Sequence, residues 1–437
     1  MKFGKSVSFL IILISLVFGQ KGEFNYSLMN YGDESIGLSA RALGMGNSGL
    51  AAGDVFSAMY MNPSAIAYGA KTFTVSGGLM LNMAEEDRSF PYYDSFGGFT
   101  DYGSYFYNRN WYPGFYGSVT ARIPNNYLPG LTFGLGYYPF LDFSYDYLEA
   151  VGQPNTMPDN RKDKLLGHNS ITSEGKLYVL PFAAAIPVPF YEKVKVGLQA
   201  GWVHGTIEYR EAVEPFPEMF PDGEAENIRR ELSMRRKMIN NPLIGTLGIT
   251  YEVNERLTLA AVGRSPYQVK FESRVTDTDI TGTNAKTIRQ ILDYPMRVGA
   301  GLAYKFENIL AARIHFDVVY EFWEDFRDNK NENLDYNNTY KINTGIEHLF
   351  VSKVPLRAGF SYQILREDKS FSKALISLGS GFVFRDIKFD IGGGISFLEY
   401  NQTDLFNDSI YGLIDRTDAD KVSVTNLFTR IDVNYAF

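Results

Sequence analysis

Few residues in this chain are placed to do covalent chemistry. Its four histidines, His168, His204, His315 and His348, fall in separate stretches, and no two have the spacing that holds a metal ion. There is no cysteine, which removes thiolate metal sites, disulfides and a lipid-bearing anchor together. No Gly-x-Ser-x-Gly elbow presents a serine nucleophile. Enzyme chemistry, a cofactor and a metal are therefore not expected. What recurs instead is charge of both signs on one face of alternating segments: Arg122, Lys195, Arg264, Arg297, Arg313, Asp317, Glu321, Lys341, Glu347, Arg357, Lys388, Asp390, Arg430 and Asp432. A charge-selective pore would favour one sign, so mixed signs describe charges that pair with one another. His315, between Arg313 and Asp317, is expected in that hydrogen-bonded network. Aromatic rings are the second resource. They crowd residues 90–112, where Phe106 and Trp111 lie, and they offer apolar capture area with a wet edge. Phe216, Met219 and Phe220, with Ile228 and Leu232 on a helix expected from Glu224 to Ile239, complete the candidate capture set.

The elements that would position these residues are strands. From Leu310 to Phe322 one face reads Leu310, Ala312, Ile314, Phe316, Val318, Tyr320, Phe322 and the other Ala311, Arg313, His315, Asp317, Val319, Glu321. Period-2 alternation of this kind puts every second side chain on one face. It recurs about fourteen times, near 71–82, 114–123, 130–143, 174–187, 193–208, 243–252, 255–273, 294–305, 309–323, 338–349, 354–364, 371–384, 386–399 and 423–437. Connections after the even strands are short, and those after the odd strands are long, with 365–370 the exception. Short turns at one end and long loops at the other is the asymmetry of an outer-membrane barrel. The last strand carries Ile431, Val433, Tyr435 and Phe437 on one face, and a terminal aromatic strand of that kind is what barrel-insertion machinery reads. The fold class expected is all-β: a transmembrane antiparallel β-barrel of about fourteen strands.

Composition agrees. Aromatics make up 15% of the chain and there are 41 glycines. Residues 1–19 read as a signal peptide: Lys2 and Lys5, then an apolar run too short to span a membrane comfortably, with cleavage near Gly19. Its removal takes the net charge of -8 two units further negative, which argues against nucleic acid as a partner.

Residues 20–70 do not alternate, and small residues dominate them. Leu43-Gly44-Met45-Gly46 is followed by a small-residue run with Asp54, then by Asn62-Pro63-Ser64-Ala65. Here the sequence resembles the FadL/TodX family of outer-membrane transporters for long-chain fatty acids and aromatic hydrocarbons, and the related PorV/PorQ-type proteins. The resemblance implies that residues 20–70 form a hatch inside the barrel of residues 71–437. It also implies passive uptake of hydrophobic compounds, with outer-membrane lipid and hydrophobic small molecules as partners. Pro139 cannot donate to a sheet ladder, and it falls in the third strand, where such transporters open their wall sideways. The PorV side of the resemblance implies a different role, as an accessory subunit that binds secretion-system proteins.

Overall fold

The computed structural model describes residues 24–51, 55–69, 72–124, 128–153, 164–220, 223–307, 311–350, 354–413 and 418–437. Residues 1–19, expected as a signal peptide, and Asp54 lie outside them. In chain order the longer strands are β1 (Phe73–Tyr93), β2 (Phe99–Arg122), β3 (Thr132–Asp142), β4 (Tyr145–Gln153), β5 (Lys164–Glu174), β6 (Lys176–Val188), β7 (Tyr191–Pro215), β8 (Arg230–Met238) and β9 (Leu243–Glu252). They continue with β10 (Leu257–Arg264), β11 (Tyr267–Asp279), β12 (Gly282–Tyr294), β13 (Arg297–Lys305), β14 (Arg313–Glu321), β15 (Thr339–Leu349), β16 (Pro355–Ile364), β17 (Ser372–Phe384), β18 (Ile387–Gln402) and β19 (Asp420–Ala436).

Fourteen of these close a wall, each antiparallel to its neighbours. Around the ring the order is β1, β2, β3, β6, β7, β9, β10, β13, then β14 to β19. β19 returns to β1 over Thr74↔Ala436 to Ser89↔Lys421, and Phe73 and Phe437 exchange backbone hydrogen bonds of 2.9 Å at the seam. The alternation reads out as expected. Leu79, Phe115, Leu198, Phe316, Phe360, Ile391 and Ile431 stand exposed on the outside, with Trp111, Trp202 and Tyr435 among the rings on the same surface. This is the surface a membrane-spanning barrel presents to lipid. Among the described residues no helix is long and apolar enough to cross a membrane.

Three expectations are corrected. The long connections at 83–113, 144–173, 209–242 and 274–293 are largely strand. β1 and β2 run on as one hairpin beyond Asn82, because outside a lipid belt a strand can carry Glu85 and Arg109 outward, ion-paired at 2.7 Å. The expected helix from Glu224 to Ile239 exists only as Glu224–Ile228. Beyond it Met234, Arg236 and Met238 alternate with exposed Arg235 and Lys237, and both edges of β8 find partners, in β7 and β11. The expected strand 255–273 divides at Ser265-Pro266, where β10 stays in the wall and β11 leaves it. β4, β5, β8, β11 and β12 join the outer half of β7 in a second sheet that caps the long-loop end. Gly175 and Gly205 make corners between wall and cap, with φ of 139° and 158°. A Cβ on Gly175 would lie 2.5 Å from the Thr206 carbonyl oxygen.

Candidate functional site

The segment from Phe24 to Tyr68 lies inside the wall and touches opposite sides of it. Its helix α1 (Phe24–Tyr31) sits under the cap. Arg236 donates to the Met29 and Asn30 carbonyls at 3.1 and 2.9 Å, and Arg366 to that of Gly32 at 3.0 Å. These are the carbonyls a helix C-terminus leaves unpaired, and cations suit that end of the dipole. α2 (Ala40–Gly44) is capped by Ser39, whose hydroxyl accepts from Ala42 N. The Ala40 amide donates to Asp432 at 2.6 Å. Arg41 grips Glu347 with two bonds of 3.1 Å, and Glu347 also takes Arg357 at 2.7 Å.

Leu43 to Gly46 then meets the wall backbone to backbone. Gly345 of β15, Gly359 of β16, Gly379 of β17 and Gly392 of β18 form a bare track, where added Cβ atoms would strike Met45, Gly46, Gly44 and Ala40 respectively. Gly46 adopts φ 66°, which glycine alone accepts without strain. The amides of Gly49 and Leu50 both donate to Asp317, at 2.6 and 3.1 Å. The expectation for His315 is corrected: it is buried, and neither ring nitrogen has a hydrogen-bond partner among the described residues. Both hatch amides go to one Asp317 oxygen, Arg41 and Arg357 hold Glu347, and the imidazole hydrogen-bonds to neither carboxylate.

On the opposite side, α3 (Val55–Met61) ends at Asn62. The Asn62 side chain accepts from the Ser64 amide at 3.1 Å and hydroxyl at 2.8 Å, and donates to the Leu50 carbonyl at 2.8 Å. Ser64 shares a 2.5 Å hydrogen bond with Thr250 of β9. Pro63, Ser64 and Ala65 are buried, against Gly197 and Gly248, which are cross-strand neighbours. Between the two seats, Glu34 is held by Arg264 at 2.5 Å, Arg297 at 2.6 Å and Lys341 at 3.5 Å.

The wall is interrupted once along β3. Pairing with β2 runs only from Arg122↔Thr132 to Gly117↔Tyr137. Beyond Tyr137 comes Pro139, with a register shift against β6 between Pro139 and Leu141. Over Leu141 and Asp142 the edge that faced β2 is taken by hatch residues Glu34 and Asp33, and Ser35 donates to the Phe140 carbonyl at 3.2 Å. Side chains of β2 instead reach Asp146 at the start of β4, where the chain of β3 continues into the cap. Asn108 and Asn110 donate to the Asp146 carbonyl at 3.0 and 3.3 Å, and the Tyr112 hydroxyl to its carboxylate at 3.3 Å. A cavity of about 130 Å³ lies behind these hydrogen bonds, between β1, β2, β19 and the hatch.

The candidate capture residues divide. Phe106 is buried and stacks on Tyr147 at 4.3 Å, within an apolar cluster under the cap. Met219, Phe220, Ile228 and Leu232 pack around that cluster, partly exposed. Phe216 meets His168 edge-on at 5.0 Å. Trp111 stands exposed on the outer face, across from Met83 and away from that cluster. Among the described residues no group of His, Asp and Glu could hold a metal ion. Glu34, the arginine clamps on α1 and the glycine track escaped the sequence reading. Inward-facing glycines recurring in consecutive strands were the available signal.

The chain, a fourteen-stranded barrel with its N-terminal segment folded into the lumen, aligns with solved structures along nearly its whole length. The chain aligns with a Pseudomonas aeruginosa FadL homologue at a TM-score of 0.62 and 16% identity, over 93% of this chain and 100% of that one. The P. putida toluene transporter TodX matches at 0.59 and 16%, over 92% and 99%. The CymD monoaromatic hydrocarbon channel matches at 0.59 and 15%, over 92% and 98%. The chain therefore has the fold of the FadL and TodX channels. No protein-family model matches the sequence, and no curated protein does.

Proposed function

We propose that this chain is a bacterial outer-membrane channel for passive uptake of hydrophobic compounds. Molecules enter at the cap, where Met219, Phe220, Ile228 and Leu232 offer apolar surface, and pass along the hatch into the cavity. They leave between β2 and β3 into the membrane. The reading rests above all on the interrupted β2–β3 pairing at Pro139, because the cavity lies directly behind it. The hatch has to yield for a continuous path, and its Asp33–Glu34 strand, lying on the free edge of β3, is the part that would move. Lipid meets the apolar belt, and Phe437 at the seam is the end presented to the insertion machinery.

The absence of native cysteine makes the exit testable. Asn110→Cys and Asp146→Cys together place one thiol on each side of the break, and a reducible bifunctional maleimide joins them. Bridging is expected to lower hydrocarbon uptake by whole cells at least tenfold, and reduction to restore it. Unchanged uptake with complete bridging would remove the wall as the route.

A further inference from the structure

The chamber at the break is not lined as a pure hydrocarbon would require. Three cavities, of about 130, 40 and 30 Å³, converge on the same three residues, Glu34, Ile36 and Lys373. Lys373, on the lumen face of β17, makes no hydrogen bond and no ion pair among the described residues. The charges it feels are Asp33 and Glu367, attractive, and Lys341, repulsive. The carboxylates of the chamber are otherwise engaged. Glu34 has its three cations, Glu86 has Arg88 at 2.6 Å, Asp142 has Lys176 at 2.8 Å, Asp33 has Arg366 at 3.7 Å, and Asp146 takes the Tyr112 hydroxyl. The 130 Å³ cavity adds the carboxamides of Asn82, Asn108, Asn110 and Asn426. Two buried hydroxyls on the adjoining space, Ser35 and Ser396, have no hydrogen-bond partner among the described residues. An ammonium with no carboxylate at ion-pair distance, beside amides and free hydroxyls, is an environment for a negative group with hydrogen-bonding capacity. Glu34 demonstrates the chemistry next door, since the hatch's own carboxylate fills a cationic seat made by the wall.

We propose that Lys373 seats the charged end of an organic anion about one aromatic ring in size. This rests on the uptake reading above and narrows its substrate class. Size follows from volume: a cavity of roughly 150 Å³ accepts a benzene ring, so the main chamber, at about 130 Å³, takes no more than one ring, whose substituent must extend toward Lys373. Ring faces meet Phe24, Ile36, Val424 and Phe428, and the anionic end reaches Lys373.

The test uses the full chain in detergent micelles at pH 7.5, with benzoate, benzyl alcohol and benzylamine as matched probes, followed by ligand-observed NMR titration. Wild type is expected to bind benzoate at least tenfold more tightly than the other two. Lys373→Met should bring benzoate within about twofold of benzyl alcohol, and Lys373→Arg should keep the preference. Heat-modifiable gel mobility verifies that each variant is a closed barrel. If benzyl alcohol or benzylamine matches benzoate in wild type, or if the preference persists in Lys373→Met, the anion seat is wrong while uptake of ring compounds stands. If none of the three binds, both readings fall.

Discussion

The hatch is seated by what its neighbours lack. At Gly46 and Gly359 two backbones touch, and an added Cβ has no side chain to push aside. Gly359→Ala is expected to cost about 1–3 kcal/mol, as overpacking generally does, and to loosen the Leu43–Gly46 seat. Planar-bilayer recordings of this variant should show intermittent opening where the wild type is closed. Gly263→Ala is the control, because nothing lies within 4 Å of a Cβ built there. Equal, silent traces from both would mean that the glycine track is not what holds the hatch. The charged residues act at the same scale. Asp317, Glu347 and Asp432 each meet a hatch group in addition to any wall partner.

Among the elements, the cap sheet carries a pH response. Glu211 of β7 is buried beside the Tyr209 hydroxyl, which donates to it at 2.8 Å. Burial, aided by nearby Asp277, pushes its carboxyl up to about 7, against the opposing pull of that hydroxyl. The folded cap thus prefers the protonated acid. Its contribution to stability is complete below the unfolded carboxyl value of about 4.3 and is lost as pH rises through about 7. Glu211→Gln should match wild type in amide exchange of β5, β7 and β8 at pH 4. By pH 8 it should be better protected, by about 4 kcal/mol at most. Identical protection at both pH values would show that this carboxyl does not titrate as its burial implies. Much of the element level was legible in the sequence. Alternation such as Ile314 to Tyr320 against Arg313 to Glu321 located every wall strand, because one face must be apolar wherever lipid lies outside. The cap was not legible, since strands such as Arg230–Met238 have water on one side and a small cluster on the other. Charged residues there imitate a helix face. The Asn-Pro-Ser seat was readable from residue type, whereas Lys373 and Glu34 were not, because their meaning lies in contacts between segments about three hundred positions apart.

For the whole molecule, the proposed role of the hatch segment is to decide between a sealed and an open barrel. Deleting residues 20–68 is expected to give a steadily conducting pore in planar bilayers, with weak ion selectivity. Glu347 and Asp317 would be uncovered together with Arg264 and Arg297, so neither sign dominates. Conductance no different from the full chain would show that something else fills the lumen. The place of the hatch in the chain has one more consequence. It is the first part of the described chain, yet Ala40 is fastened to Asp432, a few residues before Phe437. Contacts between such distant positions form late in folding. The socket for Ala40, made by Asp432 of β19 and Gly392 of β18, does not exist until these last two strands have paired. An early part of the chain is thus held by its end, and the hatch is expected to seat fully only after the last strands of the wall have formed.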